Sequence, residues 1–178
     1  LSMVPSFHRD LVCGVATYAL ELFRAAPVLD TVYVPIGLGS GICGTIAVRD
    51  ALGLPTKVVG VVSTEAPAYA LSFAAGKVVA TNSADTMADG MAVRGPDAVA
   101  LDVILKGADR IVQVSDAEIG TAMRAYYEDT HQLAEGAGAA ALAALMQERD
   151  RLAGKRVGLI LSGGNIDRPL YLRTLAGD

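Results

Sequence analysis

Two glycine-rich stretches carry the residue types needed to hold an anion and a polar ring. The first, GLGSG at Gly37–Gly41, follows the β-branched run TVYVPI and opens into ICGTIAVRDALG. Gly37, Gly39 and Gly41 let the chain turn tightly. Their N–H groups, with that of Ser40, can then converge on an anion near the positive end of a helix. That is phosphate-binding chemistry, although a plain tight turn between strand and helix explains the same spacing. The second stretch, SGGN at Ser162–Asn165, ends the apolar run KRVGLIL. A serine hydroxyl there can both donate and accept a hydrogen bond, which suits a neutral ring nitrogen; capping the turn would also employ it.

Spacing argues against two nucleotide chemistries. No lysine follows the glycines as GxxxxGK[ST] requires, which disfavours a nucleoside triphosphatase. Gly39-x-Gly41-x-x-Gly44 can be forced into a dinucleotide fingerprint, but the acidic partner should close the next strand. That strand reads VVGVVST, and Glu65 falls past its end. Fifteen basic and 19 acidic residues are mixed along the chain, net charge −4, so a nucleic-acid footprint is missing. No apolar run approaches the ~20 residues of a membrane span, and no basic-then-apolar leader opens the chain. No membrane partner and a cytoplasmic location are expected. Cys13 and Cys43 have no ligand spacing and read as small buried hydrophobes.

The loops require strands that end, and helices that begin, at the right places. DLVCGVATYALELFRAA sets Val12, Val15, Ala16, Ala19 and Phe23 on one helical face, with Asp10 the expected N-cap. TVYVPI, TKVVGVV, DRIVQV and KRVGLIL read as buried strands. ICGTIAVRDALG reads as a helix stopping at Gly53, and EAPAYALSFAAG as a short one ending at Gly76. PDAVALDVILKGA and GAGAAALAALMQERDRL add two more. SDAEIGTAMRAYYEDTH opens with a capping box, Ser115 with Glu118, and repeats Ile119, Ala122, Met123, Tyr126 and Tyr127 at helical spacing. The two tyrosines are expected to pack, and His131 to cap the helix at its negative end. His8 could face a site or solvent. Between Lys77 and Pro96 the pattern fades into a long polar loop, of the kind that carries function.

Strands that are apolar throughout, alternating with helices, predict an α/β fold. It should be doubly wound, a mostly parallel sheet with helices on both faces, in one domain spanning 1–178. An apolar fraction of 52% with 19 glycines suits small-residue packing and excludes disorder. The chain opens on LSMVPSFHRDL without an initiator Met and enters interior-like structure almost at once, so a missing N-terminal segment is expected.

A third stretch, AEGAGAAALAAL at Ala134–Leu145, completes an ordered set. A strand, a G-x-G-x-G turn, an ADG loop, an EGAGAA helix start and a strand ending in SGGN follow one another. In that order they closely resemble the second half of the fold-type II pyridoxal-phosphate enzymes. The group is that of threonine/serine dehydratases (ammonia-lyases) and serine racemases. VPSFHRDLVCGVATYALELF resembles the segment leading into that half. The resemblance implies the large domain of that fold, without its N-terminal part and small domain. It implies that Gly37, Leu38, Gly39, Ser40 and Gly41 bind the phosphate of pyridoxal 5′-phosphate through their N–H groups. Ser162 would bond the pyridine nitrogen, Gly90 would lie near the ring face, and Glu135 would sit at the site's edge. Leu38 and Ser40 replace glycines common in the family, which preserves the donors if neither residue needs a positive φ.

A ring nitrogen held by a hydroxyl rather than an acid stays largely neutral. That favours β-elimination from a small 3-hydroxy amino acid, giving a 2-oxo acid and ammonia, over transamination. In the family the lysine that forms the Schiff base lies in an S-x-K segment ahead of everything present here. Lys57, Lys77, Lys106 and Lys155 each read as surface charges. The expectation is a fragment with no catalytic residue of its own, its substrate (threonine, serine or 3-hydroxyaspartate) selected largely by the absent domain. Many members bind a divalent cation just after the second strand. Here those positions are Val62 and Ala68, with Glu65 the nearest carboxylate, so no metal is expected. Two alternatives stay open: a serine-type racemase on the same scaffold, and a non-catalytic or split-gene subunit that pairs with a lysine-bearing partner. A homodimer is the default expectation.

Overall fold

The computed structural model describes residues 6–177; the opening residues of the expected lead-in segment lie outside that range. Four parallel strands form one sheet: β1 (Thr31–Pro35), β2 (Lys57–Ser63), β3 (Arg110–Val114) and β4 (Val157–Leu159), in the order β3-β2-β1-β4. Helices α1 (Arg9–Ala25), α2 (Ser40–Ala51), α3 (Ala68–Ala75) and α4 (Ala98–Gly107) precede β3 in sequence. Helices α5 (Asp116–Ala125), α6 (Gly136–Gln147) and α7 (Arg168–Ala176) follow it.

The strands are apolar throughout because both faces are covered. Val32, Val34, Val58 and Val62 point to one side, where they pack with Phe23, Ile42, Ile46, Tyr69, Leu101 and Ile104 from α1 to α4. Tyr33, Val59, Val61, Val112 and Val114 point to the other, against Ile119 and Met123 of α5 and the alanines of α6. Alternate residues along one strand thus serve two cores, as expected of a helix-covered parallel sheet. The expected α/β layering is present.

Several local expectations need correction. The α1 N-cap is His8, not Asp10: its Nδ1 accepts the Asp10 N–H at 3.2 Å. An imidazole can supply the lone pair that carboxylates usually supply at this position. Cys13 is exposed, because α1 buries Ala19 and Phe23 and turns Cys13 outward; only Cys43 is buried. The last strand is shorter than KRVGLIL, since β4 pairs with β1 alone and over three residues. Beyond it, the Ile160 N–H still reaches the Tyr33 carbonyl at 3.1 Å. The helix begun at Asp116 loosens into a π turn at Tyr126–Thr130, and His131 follows in a left-handed conformation, φ 56°. Its Nδ1 lies 3.3 Å from the Tyr127 carbonyl. Tyr126 packs against the core, whereas Tyr127 is about half exposed, its ring edge-on to Tyr171 at 6.1 Å. The capping box at Ser115 and Glu118 is present in both directions.

The long loop from Lys77 to Pro96 holds one short 3-10 turn, Asp89–Met91, and is tied to the start of α5. Asp116, the first residue of α5, accepts hydrogen bonds from the Thr86 hydroxyl at 2.5 Å and the Met87 N–H at 2.7 Å. The loop's irregular backbone is thereby given a fixed path over the carboxyl ends of the strands.

Candidate cofactor site

The sheet order reverses at β1: β2 and β3 are laid down on one side, and β4 on the other. Chains leave β1 and β4 in diverging directions, which opens a crevice at their carboxyl ends. A cavity of about 750 Å³ lies there. Gly37, Leu38, Gly39, Ser40 and Gly41 from the turn after β1 line it, with Ser162 from the turn after β4. Gly90 of the long loop and Glu135, the residue before α6, complete the wall. The structure thus brings all eight residues singled out from the sequence to one cavity.

The turn after β1 is built to display N–H groups. Gly39 caps α2 in the left-handed region, φ 103°, and makes no side-chain cap hydrogen bond. A residue with a Cβ would be strained at that φ, and the Cβ would stand 2.8 Å from that of Ala100. Leu38 and Ser40 both avoid positive φ, so neither departure from glycine costs backbone strain. From Gly37 to Ile42, no backbone N–H finds an acceptor among the described residues. The first N–H to do so is that of Cys43, which donates to the Gly39 carbonyl at 3.0 Å. Successive free donors at a helix N-terminus, with no carboxylate in its first turn, attract an anion.

The remaining walls are close-packed. A Cβ on Gly37 would stand 2.3 Å from the Gly90 carbonyl oxygen, so the long loop rests directly on the turn. Glu135 donates its N–H to the Gly163 carbonyl at 3.1 Å, which joins the start of α6 to the SGGN turn. Ser162 is exposed at the cavity rim, and its hydroxyl has no hydrogen-bond partner among the described residues. Val34, Pro35, Met91, Ala137, Leu159 and Leu161 supply apolar surface between these polar ends. A free-donor nest, an apolar middle and a lone hydroxyl fit a flat heterocycle that carries a phosphate.

Sequence reasoning missed two tyrosines. Tyr18 of α1 lines the cavity and donates its hydroxyl to the Gly41 carbonyl at 3.1 Å, 3.3 Å from the Thr45 hydroxyl. Burial raises its phenol above the ordinary value, so it stays a donor at neutral pH. Tyr69 of α3 lies beneath the turn, its hydroxyl donating to the Leu38 carbonyl at 2.7 Å. Both sit on apolar helical stripes, and only long-range contacts distinguish them from packing residues.

None of the four lysines lines this cavity. Lys57 pairs with Asp109 at 2.9 Å, Lys106 with Asp102 at 2.6 Å and Lys155 with Asp30 at 3.9 Å; Lys77 is exposed. His8 does not line it either. Val62 and Ala68 are buried, and Glu65 is exposed beside Thr64. Among the described residues, no three His, Cys, Asp or Glu side chains cluster as metal ligands. A second cavity, of about 610 Å³, opens at the amino ends of the strands. Its cations Lys57, Arg110, Arg151 and Lys155 are each paired with a carboxylate, so it offers no uncommitted charge. Among the described residues, no helix is long and apolar enough to cross a membrane.

Known proteins share this architecture. The L-threonine ammonia-lyase of Thermotoga maritima is 33% identical over 157 residues, covering 88% of this chain and 39% of that protein. The solved structure of the processed form of threonine deaminase isoform 2 from Solanum lycopersicum superposes with a TM-score of 0.93 at 26% identity. That match covers 99% of this chain and 52% of the other. Maize serine racemase superposes with a TM-score of 0.84 at 29% identity, over 93% of this chain and 51% of that one. The chain spans about half the length of the curated relatives it matches. A family profile described as pyridoxal-phosphate dependent enzyme matches residues 2–163, most of the chain and every wall of the cavity. The chain belongs to the pyridoxal-phosphate dependent enzymes.

Proposed function

We propose that the protein to which this chain belongs is an ammonia-lyase that converts a small 3-hydroxy amino acid to a 2-oxo acid and ammonia. The supporting observation is that the Gly37–Gly41 turn, whose N–H groups are unpaired among the described residues, lines the same cavity as Ser162, whose hydroxyl is likewise unpartnered among them. Pyridoxal phosphate, when bound, supplies an electrophilic carbonyl and an electron-withdrawing ring that acidify the Cα–H of an amino acid. The chain's own residues hold and tune it. The N–H groups of the turn and the α2 dipole would hold the phosphate without a cationic side chain. The Ser162 hydroxyl would hold the ring nitrogen as a neutral hydrogen-bond partner, which would restrain electron withdrawal and favour loss of a β-hydroxyl. Gly90, packed against Ala137, and Glu135 would wall the cavity beside the ring. The lysine that anchors the cofactor and moves the Cα proton comes from outside these 178 residues.

A second reading, a racemase, is supported by the superposition on maize serine racemase. Incubating the complete protein with L-threonine, L-serine and L-threo-3-hydroxyaspartate separates the two. Ammonia and 2-oxo acid released in equal amounts support the lyase. D-amino acid formed without ammonia supports the racemase, and neither product in the presence of the cofactor refutes both.

A further inference from the structure

The turn's carbonyls require as much explanation as its N–H groups. A phosphate repels carbonyl oxygens, so the turn must aim them elsewhere. The peptide joining Leu38 to Gly39 is the critical one, because Gly39 is in the left-handed region, where glycine flips readily. Tyr69 is 2% exposed, and its hydroxyl donates to the Leu38 carbonyl at 2.7 Å. The Tyr69 hydroxyl oxygen in turn accepts the Asp97 N–H at 3.2 Å, while the Asp97 side chain caps α4 by accepting the Val99 and Ala100 N–H groups. Ala100 in turn lies under Gly39. The hydroxyl is therefore held from two elements and cannot follow a moving peptide. In a planar trans peptide, C=O and N–H point in opposite directions. With the Leu38 carbonyl drawn inward, the Gly39 N–H points away from Tyr69, toward the cavity that Gly39 lines.

We infer that Tyr69 is the positioning residue of the phosphate turn: by holding the Leu38 carbonyl it keeps the Gly39 N–H aimed at the phosphate. This rests on the cofactor reading above. Burial raises the Tyr69 phenol above its ordinary value, so the clamp stays a donor throughout the neutral range.

The test compares pyridoxine 5′-phosphate with pyridoxine, neither of which has an aldehyde to react with surface lysines. Their affinities for the chain are measured by titration calorimetry for the wild type, Tyr69→Phe and Ile104→Val. The last removes one buried methylene from α4 and serves as a destabilised control. The wild type should prefer the phosphorylated ligand. Tyr69→Phe should lose about tenfold of that preference, the scale of one hydrogen bond to a charged group, with pyridoxine affinity unchanged. Ile104→Val should keep the wild-type ratio.

A Tyr69→Phe ratio equal to wild type overturns the clamp and leaves the cofactor reading standing. An equal loss in Ile104→Val also overturns it, since general loosening would then suffice. A wild type with no preference overturns the cofactor reading itself, and the clamp falls with it. If Tyr69→Phe does not fold, the wild type decides. Inorganic phosphate should shift the Gly39 amide resonance, and a Gly39 signal that stays still while neighbouring amides move refutes the inference.

Discussion

Adding one methyl group at two glycines should have opposite effects on stability. Gly37 faces the Gly90 carbonyl oxygen, which an ideal Cβ would approach to 2.3 Å. Ordinary carbon–oxygen contacts lie roughly 1 Å further out, so one of two backbones must move, and neither is a flexible side-chain tip. Overpacking of this kind costs about 1–3 kcal/mol, partly offset by about 0.4–1 kcal/mol from the restricted unfolded chain. A net loss of about 1–2 kcal/mol remains for Gly37→Ala. Gly14 sits inside α1, and among the described residues nothing lies within 4 Å of its ideal Cβ. Gly14→Ala should therefore gain about 0.5–1 kcal/mol of helix propensity. At about 2–4 °C per kcal/mol for a chain of this size, Gly37→Ala should melt several degrees lower and Gly14→Ala a few degrees higher. Differential scanning calorimetry of both variants beside wild type provides the readout. A Gly37→Ala variant that melts with or above wild type would mean the long loop does not rest on the turn, and the cavity wall described above would be wrong.

Two further outcomes follow from buried groups. Burial alone would raise the Glu148 carboxyl, but hydrogen bonds from Arg110 and Tyr33 outweigh it and hold the group below the usual range. A depressed carboxylate stabilises the fold above its unfolded pKa, near 4.5, and that stability is lost as pH falls through the folded value. Glu148→Gln should flatten the acid limb of stability between about pH 5 and 3, measured by urea melts; an unchanged limb would remove Glu148 from the account. Cys43 is buried, its thiol pushed up to about 12 by desolvation with a smaller contribution from Asp97, whereas Cys13 is exposed. Ellman's reagent should titrate one thiol in the native chain and two in guanidinium; two in the native state would contradict the packing of α2.

The layering and the glycine turns were legible because local rules determine them. Continuous apolar runs separated by helical stretches imply a covered parallel sheet, and glycines between strand and helix imply a turn that exposes N–H groups. The capping box at Ser115 was readable for the same reason, since both partners lie within four residues. What could not be read depends on distant partners. Tyr69 sits 31 residues from the carbonyl it holds, and nothing in AYALSFAA separates a clamp from a packing ring. The Asp116 tether of the long loop spans about 30 residues. His8 was missed as a cap because imidazole is seldom used there. The exposure of Cys13 depends on which stripe of α1 the sheet selects, and that choice is made by tertiary contact.

The position of β4 affects the order in which the cavity can form. The N–H nest needs only residues near Gly37–Cys43 and the helices beneath them, all early in the chain. Ser162 reaches the nest only after β4 has paired with β1, a strand more than 120 residues earlier, through a three-residue ladder. During synthesis the phosphate end of the cavity can form while its far wall is still being translated. Closure of the far wall entails the most remote strand pairing in the sheet and the largest loss of chain entropy. A ligand that touches both ends would then act as a kinetic latch on that last pairing, slowing the loss of β4 more than that of any other strand.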